Sequence, residues 1–349
     1  MAYRKKLEFL NEENYNMIND GNVYEFTEQK PGLNIYFDKS NLADKLPHIP
    51  DYIKYLVLRC EPVHYPDIPR LLASKYLTYV KLEMTLSGIL HHNLLDYIKF
   101  PPSIKSLTLT LDDDIEYDHL DRMPQAPDEV IENAVKMIQA KSIIPSDIEY
   151  LKINFHLANI HEYTSLKVYI IDDFQNNEYN YPMANLPPML EWLEILPIKF
   201  NQPLLNLPSN LKVLIFAQNR IWNYYDGYKH SLDNLPIPLE VLYFPECMSL
   251  EGISYKATLE HLPPNLKILH IPELMPENMN YNSLPDSIEI LEWPGFYNHY
   301  KNITRFPASL KTIKIKTRSR SNNYNDDNDV EIQNYFKDAT FTIEIIPCF

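Results

Sequence analysis

Two sets of residues in this 349-residue chain have side chains suited to chemistry. His91-His92 and the acidic run Asp112-Asp113-Asp114, continued by Glu116, Asp118 and His119, offer the imidazoles and carboxylates that hold zinc or calcium. Cys60, Cys247 and Cys348 supply the thiols. Neither set has the spacing its chemistry needs. The acids form one polar run of a kind that is ordinarily solvated, and no Ser-His-Asp or Cys-His grouping has an informative context. Three cysteines far apart build neither a disulfide framework nor a CxxC zinc site, which points to free thiols in a reducing compartment. GxGxxG and GxxxxGK[ST] are absent, and 6 glycines against 28 prolines disfavour any phosphate-cradling loop. The expectation is a non-enzymatic chain with no catalytic, cofactor-binding or metal-binding residues and no cofactor.

Charge narrows the partners. The net charge of -15 opposes nucleic-acid and anionic-membrane binding, both of which depend on Lys and Arg neutralising phosphate. MAYRKKLEFLNEENYN lacks the apolar run of a signal peptide, and no apolar stretch is long enough to span a bilayer. A cytoplasmic location is expected. At 45% apolar content the chain can bury a large core, but its length exceeds what one compact core usually serves, so it is either divided or elongated.

The elements that must position any site follow from a repeat. IPDYIKYLVL (from 49), FPPSIKSLTL (100), IPSDIEYLKI (144), LPPMLEWLEI (186), LPSNLKVLIF (207), LPIPLEVLYF (235), LPPNLKILHI (262), LPDSIEILEW (284) and FPASLKTIKI (306) share the pattern Φ-P-x-x-Φ-x-x-Φ-x-Φ, with Φ apolar. From 186 onward the steps are 21, 28, 27, 22 and 22 residues, a leucine-rich-repeat length. The earlier steps are about double, and SKYLTYVKLEM (74–84) and YTSLKVYII (163–171) are candidate copies without the proline. Φ-x-Φ alternates as a strand does, and the residue before proline is pushed out of the helical region. Each unit therefore reads as one short strand plus an extended return, and stacked units give a parallel sheet over a continuous apolar interior.

A second periodicity supports that register. The residue after the central Φ alternates in sign along the chain: Lys105, Glu149, Lys167, Glu191, Lys212, Glu240, Lys267, Glu289, Lys311. On neighbouring strands about 4.8 Å apart, each would meet only opposite charges. Such a ladder disfavours skipping a repeat.

The stretch FNQPLLNLPSNLKVLIF, with Phe200, Asn201, Pro203, Leu204, Leu207, Pro208, Leu211, Leu214 and Phe216, resembles the FNIP repeat, a relative of the leucine-rich repeat. Tyr281-Asn282 is a faint second copy of its lead-in. The resemblance covers roughly residues 46–316. It implies a curved solenoid used for protein-protein contact, in a family found mainly in amoebae and their large DNA viruses. Many relatives place an F-box before the repeats and look like ubiquitin-ligase adaptors, whereas YRKKLEFLNEENYNMIND has no leucine-proline opening of that kind. The alternatives to a simple scaffold are thus a ligase substrate adaptor or a structural, virion-packaged component. The leucine-rich-repeat asparagine position falls at Asn219 after Leu214 and Phe216, and Cys247 takes the same slot one repeat later, as a buried spacer.

The domain reading is an N-terminal cap over 1–45, a leucine-rich-repeat-like solenoid over 46–316, a polar loop over 317–335 and a capping strand over 336–349. NVYEF and LNIYF are strand-like runs in the cap, and LNIYF supplies the first ladder strand; ATFTIEII ends the sheet. The fold class is α/β or mainly β, with short extended returns and one inserted amphipathic helix near 128–142 that carries Val130, Ile131, Ala134, Val135 and Ile138 on one face. Alternation directs Trp192, Glu194, Val213, Ile215, Val241, Tyr243, Ile268, His270, Ile290 and Glu292 outward onto the concave side. That stripe suits a protein partner anchored on Trp192 and Tyr243.

Overall fold

The computed structural model describes residues 32–36, 54–59, 62–112, 128–172, 180–183, 185–197, 200–216, 230, 234–243, 261–271, 281–294, 304–318 and 332–348. They fall in two compact units divided between Pro145 and Ser146. In the first, β1 (Gly32–Tyr36), β2 (Tyr55–Arg59), β3 (Tyr79–Thr85) and β4 (Ser106–Asp112) pair in chain order, all parallel. In the second, β5 (Tyr150–Ile153), β6 (Val168–Ile171), β7 (Trp192–Ile195), β8 (Val213–Phe216) and β9 (Val241–Tyr243) do the same. β10 (Ile268–His270), β11 (Ile290–Pro294), β12 (Thr312–Arg318) and β13 (Thr342–Cys348) continue the series. Parallel strands added strictly in chain order, one per repeat, are the architecture of a leucine-rich-repeat solenoid.

The repeat pattern has a direct structural cause. The proline carbonyl accepts a hydrogen bond from the N–H of the Φ residue three positions on: Leu190 to Pro187 (3.2 Å), Leu211 to Pro208 (3.0 Å), Leu239 to Pro236 (3.0 Å), Leu266 to Pro263 (3.1 Å) and Leu310 to Pro307 (3.1 Å). P-x-x-Φ is therefore a β-turn that aims Φ into the core. The copies without proline make the same turn, Leu77 to Ser74 (3.3 Å) and Leu166 to Tyr163 (3.0 Å), so both are true rungs. Asn185 and Asn206, just before Leu-Pro, adopt left-handed backbone (φ 64° and 58°), which asparagine tolerates better than other residues with a Cβ.

The residue after that Φ is the clamp between rungs. The carbonyl of Glu191 accepts from the N–H of both Lys212 (2.8 Å) and Val213 (3.0 Å); Lys212 does the same for Glu240 and Val241, Glu240 for Lys267 and Ile268, and Lys267 for Glu289 and Ile290. In the first unit Lys54 and Thr78 hold the slot, Lys54 accepting from Thr78 and Tyr79, and Thr78 from Lys105 and Ser106. The charge ladder thus sits in vertical register. In the second unit its ion pairs join each ladder lysine to the glutamate one rung earlier: Lys167–Glu149 (2.8 Å), Lys212–Glu191 (2.9 Å), Lys267–Glu240 (2.9 Å) and Lys311–Glu289 (2.6 Å).

Two inward rows make the core. Leu151, Tyr169, Leu193, Leu214, Leu242, Leu269, Leu291 and Ile313 lie in one cross-strand register and none is more than 2% exposed. Each buried side chain of this size contributes about 1.5–3 kcal/mol before conformational entropy is subtracted.

The first unit departs from short extended returns. Between β2 and β3 the chain forms a 3₁₀ turn (Pro62–Asp67) and α1 (Ile68–Leu72); between β3 and β4 it forms α2 (Leu86–His91) and α3 (Leu94–Tyr97). Thr85 caps α2 by accepting the Gly88 N–H (3.0 Å), and Leu86, Gly88 and Ile89 are buried. The inserted helix, α4 (Asp128–Ala140), buries Ile131, Ala134, Val135 and Ile138 and packs against α2, with Val130 half-buried. Residues 332–335, within the stretch read as a polar loop, form a helical turn whose Ile332 is buried together with Phe336. NVYEF, Asn219, Cys60 and Cys247 lie outside the described residues.

Candidate functional site

Outward rows on the strands of the second unit carry the candidate site. One row runs Tyr150, Val168, Trp192, Val213, Val241, Ile268, Ile290, Thr312; the other runs Lys152, Ile170, Glu194, Ile215, Tyr243, His270, Glu292, Lys314. The structure brings all ten predicted residues onto this face. Trp192, Val213, His270 and Glu292 are buried there, while Glu194, Ile215, Val241, Tyr243, Ile268 and Ile290 are half-buried. Trp192 therefore presents little surface as an anchor, and its indole N–H donates to Glu194 Oε1 (2.7 Å).

The second row holds a polar brace across four strands. The Tyr243 and His270 rings stack at 5.2 Å with planes 7° apart. Tyr243 donates its hydroxyl proton to Glu292 Oε1 (3.2 Å), Lys314 Nζ reaches the same oxygen (3.2 Å), and His270 Nδ1 lies 3.5 Å from Glu292 Oε2. Burial alone would raise the Glu292 carboxyl, but His270 and Lys314 outweigh it and bring the pKa from 4.5 down to about 2. Tyrosine, imidazole and carboxylate in a row have the makings of acid–base chemistry. His270, however, is 0% exposed, so no substrate reaches its ring, and the network works as a cross-strand tie.

A second polar group lies along the same row. Lys152 Nζ and Asp172 Oδ2 form an ion pair at 2.7 Å. Burial pushes the nearby Glu194 carboxyl above its ordinary range, with Asp172 adding to the rise and the Trp192 N–H and Lys152 opposing it. The apolar part of the face fills the first row beside the brace and, at Ile215, the gap between the two polar groups in the second row. Val241, Ile268 and Ile290 are in register on β9–β11, and Ile215 and Tyr243 are in register on β8–β9.

Sequence reasoning singled out Asn282 in its faint lead-in but missed Asn180, Asn210 and Asn265, which belong with it on the return side. Asn180 Oδ1 accepts the Asn201 N–H (2.8 Å), and Asn282 Oδ1 accepts those of Thr304 and Arg305 (3.0 and 2.9 Å). Asn210 Nδ2 donates to the Pro188 carbonyl of the preceding turn (3.2 Å), and Asn265 Nδ2 to that of Ile237 (3.3 Å). The signal was available in Asn180-Tyr181-Pro182, which has the order of Asn201-Gln202-Pro203. Phe200, the aromatic of that lead-in, is buried against Phe216 with ring centroids 6.5 Å apart.

The other candidates are not brought together. His91 and His92 are exposed at the end of α2, Asp112 closes β4, and the remainder of the acidic run lies outside the described residues. Among the described residues no three His, Cys, Asp or Glu side chains converge as metal ligands, and no helix is long and apolar enough to cross a membrane.

No family model and no curated protein matches the chain. Among solved structures it is similar to the crystal structure of CroV588, a novel circular leucine-rich-repeat protein from a giant virus, at 16% identity over 77% of this chain and 43% of that chain, with a TM-score of 0.27. At that score the likeness adds nothing to the strand topology, and it is the strand topology that identifies both units as leucine-rich-repeat-like.

Proposed function

We propose that the chain is a protein-protein interaction scaffold of the FNIP-repeat type, without a catalytic step, and that it takes its partner on the outward face of β8–β11. The observation that carries this reading is the contiguous half-buried apolar surface of Ile215, Val241, Tyr243, Ile268 and Ile290. Parallel strands in register present it as a continuous face, a form that suits another protein rather than a small molecule. The asparagine lead-ins at 180 and 282 support the FNIP-type assignment, because the side-chain oxygen of each accepts backbone N–H groups of the next return.

The test is quantitative affinity purification with the full chain and with Val241→Asp/Ile268→Asp. The wild type is expected to retain specific proteins at fixed stoichiometry, and the double variant to lose them while its unfolding midpoint stays within a few degrees. Retention of the same proteins in the same amounts by the variant would overturn the assignment.

A further inference from the structure

The last strand of the second unit is unfinished in two ways. Among the described residues β13 pairs only with β12, and its Thr342 N–H donates to the Lys311 carbonyl (2.9 Å). Backbone groups of successive strand residues alternate in direction, so Thr342, Glu344 and Ile346 serve β12 while Ile343, Ile345 and Pro347 turn to the opposite edge. The interior rows are incomplete at the same place. Ile313 and Ile315 on β12 are 1% and 2% exposed, whereas their register partners Ile343 and Ile345 are only half-buried. Pro347 has no N–H to offer at that edge, which confines further pairing to the stretch around Ile343–Ile345.

We propose that this edge receives β1 of a second copy of the chain, joining copies head to tail as one more parallel rung. The complement is visible in the backbone of β1. The Lys54 carbonyl is taken by β3, so Tyr55, Val57 and Arg59 turn to β1, where they meet the groups of Leu33 and Ile35. Gly32, Asn34 and Tyr36 turn to the other edge, where no strand pairs with them among the described residues. Set in register with Thr342–Ile346, their N–H groups meet the carbonyls of Phe341, Ile343 and Ile345, and the Ile343 and Ile345 N–H groups meet the carbonyls of Gly32 and Asn34. Leu33 and Ile35, in register with Leu56 and Leu58 on β2, then fall opposite Ile343 and Ile345 on β13. Asn34 falls opposite Glu344, so no like charges meet. β13 paired antiparallel with itself would make a closed pair, whereas β13 on β1 is heterologous and leaves a free edge at each end.

Sedimentation equilibrium of the full chain from about 1 to about 200 µM tests this, because mass action makes the average mass of an associating chain rise with concentration. The mass is expected to climb past that of one chain. Ile343→Lys spoils only the β13 edge and Asn34→Pro only the β1 edge; each, with its circular dichroism unchanged, is expected to weaken association more than about tenfold. Mixing the two variants leaves one sound junction, so a dimer that grows no further is expected. A wild type that stays monomeric throughout, an Asn34→Pro chain that associates normally, or a mixture that remains monomeric each overturns the proposal.

Discussion

Replacing Glu292 by glutamine keeps the shape of the brace and removes its charge. The carboxylate is 7% exposed, accepts from Tyr243 and Lys314 and faces His270, and its pKa falls from 4.5 to about 2. At about 1.4 kcal/mol per pH unit, that displacement corresponds to about 3 kcal/mol of folding stability at neutral pH. The sign follows from proton binding. The unfolded chain takes up the proton more readily, so the contribution is complete above the unfolded value of 4.5 and disappears as pH falls through the folded value of about 2. Trp192, Trp222 and Trp293, all the tryptophans of the chain, lie in the second unit, so urea unfolding followed by their fluorescence reports on the sheet that holds Glu292. The difference in unfolding free energy between wild type and Glu292→Gln should be about 2–3 kcal/mol near pH 7 and should shrink steadily between about pH 5 and pH 2. Glu194, whose pKa burial raises, contributes in the opposite sense but is common to both chains and leaves the difference unchanged. A difference that is flat across that interval, or that grows toward low pH, refutes the electrostatic account of the brace.

Charge reversal tests the ladder. Glu240→Lys removes the pair with Lys267 and sets a lysine between Lys212 and Lys267; a loss of under about 1 kcal/mol is expected, fading in high salt, with partial recovery on adding Lys212→Glu and Lys267→Glu. Simple additivity of the three changes would count against the ladder. In the first unit, an added methyl at Gly88 would fall on the Tyr65 hydroxyl and lie 2.8 Å from Thr85 Oγ1, so Gly88→Ala is expected to cost about 1–3 kcal/mol in thermal unfolding despite alanine's better helix propensity. A neutral or stabilising result means that Tyr65 gives way freely.

The rungs were readable because each element of P-x-x-Φ-x-x-Φ-x-Φ has one backbone job: the turn opened by Pro208, the inward Leu211, the clamp at Lys212 and the inward Leu214 and Phe216. Even the copies lacking proline were recoverable, since Leu77 and Leu166 keep the inward spacing that the turn requires. The helical returns of the first unit were not. α2 and α3 are only 6 and 4 residues long, too short for a helical period to emerge, and they are fixed by burial against tertiary neighbours. At the candidate site, alternation placed all ten residues on one face but could not say what else that face would meet. His270 and Glu292 turned inward to each other and to Lys314, a partner one rung beyond the stripe, and became a tie rather than a contact surface. Ile332 and Phe336 were hidden by the polar composition around them, although their spacing of four residues is that of one helical face.

The paired hydrogen bonds at Glu191, Lys212, Glu240 and Lys267 have a consequence for how such a chain can change over generations. Each clamp carbonyl sets the next strand by accepting two of its N–H groups, regardless of how many residues separate the rungs, and the separations from Glu191 to Glu289 run from 21 to 28. An insertion or deletion in a return is therefore corrected at the following clamp and is not passed on as a frame slip through the rest of the stack. Length can drift freely on one side of the molecule while the strand face keeps its alignment.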